Sequence, residues 1–494
     1  MDSAAEAATP EAARQQDAPI AYRDVTLESG VDFEHWDGRS GRRYYPETAS
    51  GGGGLFDADG DGDLDLYLIN GATTPGSPPG RQPRNALYLQ QSSGPGGTGA
   101  PRFVKASAAG VDDPGFGMGL CAADLNGDGL ADFLLTNFGP DRLFVSRAAA
   151  SGPPDWTSVP MPGERWGTGC AFGDLDGDGD LDLYVANYLA VDFDRHPTCG
   201  DPARGLASYC RPSAFAGQAD QLYMNRGVGA DGVPRFEEAG AVRGVIQGSD
   251  EKGFGVLMSD FDDDGDLDIL VANDGTPNRL YANDGRGFLE DAGLSSGLAL
   301  SGDGIPQASM GLDVGDADGD GRLDVMMTHY AFESNTLYLN AGRGPGRALY
   351  DDRTADSGLH APSYLSVGWG VRFFDADNDG DLDLAVANGH VLDNAELFDV
   401  RTSYAQPDHL YTNDGAGSFT EASAGVPGFA APEPTVSRAL ATGDLDDDGR
   451  LDLLITTTNG RPRLLRGVGS APGRWLGVRL LGPVSNTFAI GARA

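Results

Sequence analysis

The sequence predicts an all-β fold, a seven-bladed β-propeller whose ring is closed by an N-terminal strand. First, a nine-residue acidic pattern, D-x-[DN]-x-D-G-x-x-D, occurs seven times along the 494 residues. Second, short apolar runs typical of buried strands lie before and after each copy. Third, the last repeat lacks a final strand-like segment, and the N-terminal region carries an extra one. Self-similarity of this kind is typical of repeat architectures.

Each acidic copy has the chemistry of a calcium loop. In an EF-hand, side-chain oxygens at positions one, three and five and a backbone carbonyl at position seven surround Ca²⁺, and Gly at position six makes the sharp turn. All seven copies keep this arrangement, and Asp at position nine takes the place of the final EF-hand Glu. We therefore predict about one Ca²⁺ per blade.

The predicted ligands occupy positions one, three, five, seven and nine, with the two arginines offering only a position-seven carbonyl. They are Asp57, Asp59, Asp61, Asp63 and Asp65; Asp124, Asn126, Asp128 and Asp132; Asp174, Asp176, Asp178, Asp180 and Asp182; Asp260, Asp262, Asp264, Asp266 and Asp268; Asp316, Asp318, Asp320, Arg322 and Asp324; Asp375, Asp377, Asp379, Asp381 and Asp383; and Asp444, Asp446, Asp448, Arg450 and Asp452.

Solvated acidic turns are the alternative interpretation of these loops, because Asp and Gly are common turn residues. Seven copies in one register favour the metal, since four carboxylates in one loop repel one another when no cation is present. The absence of Cys and His at this spacing disfavours Zn²⁺ and Cu²⁺. Mg²⁺ tolerates crowded carboxylate cages poorly, so Ca²⁺ is the predicted ion.

The segments around each loop predict four antiparallel strands per blade. One apolar run precedes the loop and another follows it, so the loop joins the first strand to the second. A third run of the form DQLYMN comes next, and a fourth has the form RFEEAG, with WTSVP filling that role in blade two. Blade seven ends at PRLLRG, and Tyr22 to Phe33 carries the fourth-strand pattern that completes it.

The composition predicts an exported protein. The net charge of −39 disfavours nucleic acid as a partner. No apolar run reaches the length of a membrane helix, so we expect no transmembrane segment, and we expect a monomer. Residues 2–20 have the character of a leader left after removal of a signal segment. Because weak calcium loops fill outside the cell, the predicted location is secreted, periplasmic or cell-surface.

The four cysteines fall into two pairs with different predicted roles. Cys199 and Cys210 flank a polar insertion in blade three, and a disulfide there would contribute roughly 2–3 kcal/mol. Cys121 and Cys170 lie on first strands, a few residues before their loops. We expect this second pair to be small buried core residues.

Several longer stretches carry a resemblance to a known family, among them YYPETASGGGGLFDADGDGDLDLYLING, YCRPSAFAGQADQLYMNRG and VANGHV. The blades resemble FG-GAP/VCBS repeats, the calcium-binding propeller repeats also found in integrin α-subunit heads. Residues 22–494 resemble the cartilage acidic protein (CRTAC-like) family, and the segment from Arg474 resembles the opening of an ASPIC/UnbV domain. From the residues we expect 1–21 to be a disordered leader and 22–470 to be the propeller. The resemblance implies that 471–494 are the truncated start of an ASPIC/UnbV domain.

The face opposite the loops is the predicted ligand face. The fifth residue after each position-nine Asp forms a polar ring there, or alternatively caps its own turn. The ring consists of Asn70, Asn137, Asn187, Asn273, His329, Asn388 and Thr457. Candidate ligand-binding side chains near it are His329, His390, Tyr188, Tyr330, Trp166 and Trp369, with Asp274 and Glu333 close by. For the tryptophans, packing between blades is the alternative role.

Two functions are compatible with this pattern. The first is an extracellular recognition or adhesion module for a protein or glycan, with specificity from the long insertions in blades three and six. The second is an enzyme with a second metal or an acid–base pair at His329 and His390. No nucleophile elbow, phosphate loop or zinc helix motif is present in the sequence, which favours the recognition module.

Overall fold

A computed structural model describes residues 18–490, except for 92–99, 108–109, 150–152, 249, 343, 471–472, 479, 481, 483–485 and 489. In this part of the chain, seven four-stranded antiparallel sheets follow one another as the blades of a propeller. The predicted seven-bladed all-β fold is confirmed. Residues 1–17 of the predicted leader lie outside the described residues.

Each blade uses its strands in chain order from the inside of the ring outward, apart from the last. Blade one comprises Gly53–Phe56, Asp65–Leu68, Ala86–Gln91 and Arg102–Lys105; blade two Gly117–Ala123, Asp132–Asn137, Arg142–Arg147 and Asp155–Pro160; blade three Gly167–Gly173, Asp182–Asn187, Gln221–Val228 and Pro234–Glu238. Blade four comprises Gly253–Ser259, Asp268–Asn273, Arg279–Asn283 and Leu289–Asp291; blade five Leu312–Gly315, Asp324–Met327, Thr336–Asn340 and Tyr350–Asp352; blade six Gly368–Phe374, Asp383–Asn388, His409–Asn413 and Phe419–Glu421.

Blade seven is built from both ends of the described chain. Its first three strands are Ser437–Gly443, Asp452–Thr457 and Arg463–Gly467. The fourth is Tyr22–Asp24, which pairs antiparallel with the third so that Tyr22 lies opposite Gly467. The predicted closure of the ring by the N-terminal strand is therefore confirmed.

The remaining elements are short. The α-helices Gly240–Arg243, Gly293–Ser296 and His360–Ser363 follow fourth strands, and 3₁₀ turns span Tyr45–Thr48, Phe193–Arg195, Pro202–Arg204, Pro212–Ala214, Ala395–Leu397 and Ser423–Gly425. A two-stranded hairpin, Cys199–Asp201 with Leu206–Ser208, lies in the blade-three insertion. Among the described residues, no helix combines the length and apolar character needed to cross a membrane. The described residues after 472 contain no strand, and the ASPIC/UnbV start stays a prediction.

The hydrophobic core lies between neighbouring blades. Between blades two and three, for example, Leu134 and Leu143 pack with Leu183 and Val185, all fully buried. Near the axis the first strands approach so closely that glycine is required. A Cβ on Gly119 would lie 2.3 Å from the carbonyl oxygen of Thr168 in the next blade. Crowding of this kind fixes the distance between blades.

The expectation of separate core cysteines on the first strands is wrong. Cys121 and Cys170 form a disulfide with a Cα–Cα distance of 5.8 Å. They lie in blades two and three, whose first strands pack side by side at the axis, and this proximity between repeats is invisible in either repeat alone. The predicted Cys199–Cys210 disulfide is present. No cysteine is left free in the described residues.

Closure of the ring by the N-terminal strand predicts that truncating a buried side chain of this strand destabilises the protein. Tyr22 is 1% exposed, and its ring lies 6.0 Å from that of Phe429 in the neighbouring core. We expect Tyr22→Ala to destabilise the protein by about 3–5 kcal/mol, as for other large aromatic truncations, and to lower the denaturation midpoint in urea. Leu27→Ala is the matched control, because Leu27 follows the same strand but is 71% exposed. Equal midpoints for the two variants would contradict a ring held shut by this strand.

Candidate functional site

The acidic loops share one backbone conformation. Position six is a glycine with positive φ in every blade, from 82° at Gly449 to 101° at Gly380. Position four is also left-handed, and in three blades a non-glycine residue adopts it: Asp263, Asn378 and Asp447, with φ between 54° and 59°. Asp and Asn tolerate this region better than other side chains. These turns curl the loop around a common centre.

Amides and carboxylates of the loop bond one another in a fixed order, which blade four illustrates. Asp260 accepts N–H bonds from Asp264 at 3.1 Å and from Gly265 at 3.0 Å. Asp262 accepts from Asp264 at 3.2 Å, and Asp264 accepts from Asp266 at 3.0 Å. Both oxygens of Asp260 and one oxygen each of Asp262 and Asp264 thus accept backbone N–H groups, and the remaining lone pairs are left for a ligand at the centre.

The donor set fits a hard divalent cation. One oxygen from each of Asp174, Asp176 and Asp182, at positions one, three and nine, lies within 4.8 Å of the others, and the same positions form such a group in blades four and six. In blades one and five the group is formed by positions one, three and five. Oδ1 of Asp176 and Oδ1 of Asp377 are buried and accept no hydrogen bond from the described residues. Buried carboxylate oxygens without donors are costly unless a cation neutralises them. The all-oxygen set could hold Ca²⁺.

The position-nine Asp is the deepest residue of each loop. Its side chain is at most 3% exposed in all seven blades. One oxygen accepts the N–H of position two, at 2.8 Å from Ala58 in blade one. The other accepts an N–H from the third strand, at 2.8 Å from Gln90. Burial raises the pKa of Asp65 to about 7, and the same holds for Asp132, Asp182, Asp268, Asp324 and Asp383.

On the opposite face, the Asn ring closes the turns between second and third strands. The side-chain amide of Asn187 donates to the carbonyl of Ala219 at 3.0 Å, and Asn388 donates to Pro407 at 2.9 Å. In return, the first Asx residue of the third-strand run accepts the ring residue's N–H, as Asp220 does from Asn187 at 2.7 Å. The five ring asparagines are at most 5% exposed. Their amide N–H groups bond the backbone, as in the capping alternative, whereas the side-chain oxygens of Asn137, Asn187 and Asn388 accept no hydrogen bond from the described residues.

A cavity of about 1040 Å³ lies on this face. Its floor comes from blades four and five, and its walls from the insertions of blade three (188–219) and blade six (389–407). The two insertions meet where the Asn394 amide donates to the Ala207 carbonyl at 2.8 Å. The lead-in segment, residues 34–52, supports both. Arg43 pairs with Asp393 at 3.1 Å, and Tyr209 donates to Glu47 at 2.9 Å.

A chain of hydroxyl groups ends on a buried carboxylate in this cavity. Tyr188 donates to Oδ2 of Asp274. Since that bond uses its only proton, Tyr188 accepts from the Tyr45 hydroxyl at 3.0 Å. The other carboxylate oxygen of Asp274 accepts no hydrogen bond from the described residues, although the residue is 8% exposed. Burial raises the pKa of Asp274 to about 6.

His390 offers a donor in the same cavity. Its Nδ1 accepts the N–H of Leu392 at 2.9 Å, which places the proton of the neutral ring on Nε2. Burial, aided by the Arg438 cation, lowers the pKa of His390 to about 4, so the ring is neutral at pH 7. Tyr330 stands against this ring with centroids 5.2 Å apart. Lys252 and Glu333 also line the cavity.

Not every predicted ligand residue reaches the cavity. Tyr188, Tyr330, Trp369 and His390 line it, whereas His329 and Trp166 do not. His329 is fully buried and bonds Thr336 Oγ1 at 3.0 Å, so the structure does not bring it beside His390. Burial lowers its pKa to about 3.

The two tryptophans also differ. Trp166 is 1% exposed and packs edge-on against Tyr188 at 5.1 Å. Trp369 lines the cavity, and the Arg438 guanidinium covers one side of its ring at 4.0 Å. Tyr45 and Lys252 line the cavity too, and no local pattern marks them. Tyr45 arrives through the lead-in segment, which crosses the face only in the folded ring.

Comparison with known proteins agrees with this geometry. A model of the FG-GAP-like repeat matches residues 57–135, 124–185, 260–327, 316–386 and 393–455. Cartilage acidic protein 1 of Homo sapiens is 24% identical over 343 residues, covering 57% of this chain and 48% of that protein. The Mus musculus protein is 24% identical over 336 residues, covering 57% and 50%. The chain spans about half the length of these curated relatives.

Solved structures give only distant likenesses. A chain of the BBS1N–ARL6DN complex has a TM-score of 0.45 at 10% identity, covering 91% of this chain and 97% of that one. An Agrocybe aegerita lectin that recognises non-reducing terminal N-acetylglucosamine has a TM-score of 0.37 at 15% identity, covering 71% and 79%. Neither informs the site. The repeat matches cover more than half of the sequence and coincide with the acidic loops, so the chain belongs to the FG-GAP-like repeat family.

Proposed function

We propose that this chain is an exported calcium-binding propeller that recognises an extracellular protein or glycan in the cavity opposite its acidic loops. The observation that carries the proposal is the cavity itself. It is built from the non-repeating insertions of blades three and six, and a buried carboxylate, Asp274, keeps one oxygen open to it. Non-repeating loops on a repeating scaffold are where binding specificity usually resides.

The cavity chemistry suits a polar partner with some apolar surface. Asp274 offers an acceptor, His390 Nε2 a donor and Lys252 a cation, while Phe254, Met310 and Trp369 provide apolar wall. Aromatic walls with a few aimed polar groups bind sugars and peptide side chains alike. A hydrophobic rim continues outward, since Leu397 is 49% exposed and Val400 is 92% exposed.

Export is supported by the two disulfides, because disulfides persist in oxidising compartments. The name of the matched relative refers to cartilage, an extracellular tissue, which is consistent with the same setting. In such a compartment the acidic loops would be filled by Ca²⁺ and would stabilise the scaffold rather than react.

Geometry does not favour the enzymatic alternative. A paired histidine site requires His329, which bonds Thr336 and does not line the cavity. The alternative reduces to His390 with Asp274 or Glu333 as an acid–base set. A transition metal that copurifies with the wild type and is lost in His390→Ala would favour the enzyme over the recognition module.

Calcium in the loops predicts that removing the metal lowers the stability of the protein, and that removing one ligand carboxylate lowers the amount of metal bound. We expect removal of calcium with EGTA to lower the melting temperature by several degrees, because the native state loses its bound ligand and the carboxylates repel. Asp260→Asn, at position one of the blade-four loop, should lower the calcium content by one ion per molecule, measured by elemental analysis of dialysed protein.

Asp263→Asn is the matched control for that experiment. It removes a charge from the same loop at position four, where the residue is left-handed and Asn is tolerated. We expect its calcium content to equal that of the wild type. An unchanged melting curve in protein shown to be free of calcium would contradict a stabilising role for the metal.

Recognition in the cavity predicts a face-specific loss of binding. The ligand would first be found by screening purified extracellular proteins and an immobilised glycan array. We expect Asp274→Asn to lower the affinity for that ligand at least tenfold, because the change removes a buried charge from the contact. Asp284→Asn, on a turn at the acidic-loop end of blade four, should bind as the wild type does. Equal losses in both variants would contradict the cavity as the site.

The raised pKa of Asp274 predicts that this residue costs stability at neutral pH. Its folded pKa of about 6 exceeds the ordinary value near 3.9. The folded state therefore holds the proton more tightly than the unfolded chain does. The stabilisation of the folded state by this proton is present below about pH 4 and is lost as the pH rises through 6.

We accordingly expect Asp274→Asn to melt at a higher temperature than the wild type at pH 8, with a smaller difference at pH 5. A difference that does not change with pH would contradict a buried carboxylate retained for binding rather than for folding.

A further inference from the structure

The acidic loop of blade seven contains positive charge of its own. The Arg466 guanidinium pairs with the carboxylate of Asp446, and its Nη2 lies 3.2 Å from Oδ2 of Asp448. Arg450 Nη1 lies 2.9 Å from the same oxygen of Asp448. The Asp446 side chain is fully buried and that of Arg466 is 11% exposed. Asp446 and Asp448 are positions three and five, where the cation would bind.

The structural register shows that Arg466 is particular to this blade. In every blade, one residue of the third strand donates its N–H to the position-nine Asp. In blade seven this donor is Gly467, which lies 2.8 Å from Asp452, and Arg466 is the residue just before it. The residue just before this donor is therefore the counterpart of Arg466 in each of the other blades. These six counterparts are uncharged: Leu89, Val145, Met224, Ala282, Leu339 and Thr412. The other loops have no cation at this point of the third strand.

Blade five offers a comparison with half of the arrangement. Its position seven is also an arginine, Arg322, which pairs with Asp320. The third-strand position is Leu339, however, and Asp316, Asp318 and Asp320 still offer three oxygens within 4.8 Å of one another. A position-seven arginine therefore leaves the metal-binding geometry intact, and the second arginine distinguishes blade seven.

We propose that the Arg466 guanidinium, supported by Arg450, takes the place of Ca²⁺ in the blade-seven loop, so that this loop binds no metal. A guanidinium is always charged and donates to two carboxylates at once. A divalent ion on the same oxygens would lie beside that charge and be repelled. This inference rests on the proposed calcium binding of the other loops.

The position of this loop gives the substitution a role. Blade seven is the only one assembled from both ends of the described chain, through Tyr22–Asp24 and Arg463–Gly467. Arg466 belongs to the strand that receives the N-terminal strand, and it faces Arg23 in that pairing. An internal cation makes the closing blade independent of free calcium. Loss of calcium would then loosen the other loops before it opened the ring.

The test counts calcium ions per folded molecule, by titration calorimetry with CaCl₂ and by elemental analysis. We expect Arg466→Leu, which installs the residue of blades one and five, to bind one ion more than the wild type. Circular dichroism establishes that the variant is folded. A folded Arg466→Leu protein with the wild-type count would overturn the proposal.

The reverse exchange keeps the proposal testable if Arg466→Leu does not fold. Leu339→Arg gives blade five both arginines, and we expect it to bind one ion fewer than the wild type. An unchanged count in folded Leu339→Arg, or an ion in the blade-seven loop of wild-type crystals grown in CaCl₂, would overturn the proposal. Absence of calcium from every loop of the wild type would instead refute the calcium-binding function.

Discussion

A buried aspartate at position nine of each acidic loop is the interaction on which every blade depends. Its two oxygens accept N–H groups from position two and from the third strand, and so join the loop, the second strand and the third strand at one point. The same burial raises the pKa of six of these residues to about 7, which reflects the cost of an ionised carboxylate there. A cation beside this carboxylate would offset that cost. The proposed calcium binding would in this sense follow from how the strands of each blade are held together.

At the opposite ends of the strands, the turns between second and third strands are held by a different set of hydrogen bonds. There the first Asx residue of the third-strand run accepts the N–H of the ring asparagine, as Asn278 does from Asn273. The ring asparagine's amide in turn donates to the carbonyl of the residue just before that Asx, here Pro277. These bonds are neutral amide contacts in blades one and four and involve a single carboxylate in blades two, three and six. The capping bonds come from the chain's own amides and carboxylates, and the blade-six carboxylate of Asp408 also pairs with Arg463 at 3.4 Å. Connections beyond these capped turns lie on the surface, where insertions are usually tolerated.

Features that repeat could be predicted from the sequence, and features that arise between repeats could not. The loops, the strand order and the N-terminal closure follow from one pattern read seven times. The Cys121–Cys170 disulfide needed the distance between two blades, and the cavity needed the meeting of Asn394 with Ala207 across 187 residues. His329 shows the opposite error: a break in a repeating Asn position suggested a binding residue, but the side chain packs inward and bonds Thr336. Register predicts which backbone position a residue holds and not where its side chain points.

The insertions place the walls of the cavity on different parts of the chain. Blades three and six carry the long connections, while the corresponding turn of blade four runs only from Asn273 to Asn278. The two insertions meet where the Asn394 amide donates to the Ala207 carbonyl. Asp274 and Glu333 belong to the connections of blades four and five, and Tyr45 belongs to the lead-in segment. Under the proposed recognition function, a ligand would therefore contact carboxylates held by the repeating blades and walls held by the non-repeating insertions. Variation in the insertions would change the shape of the cavity and leave the position of the carboxylates unchanged.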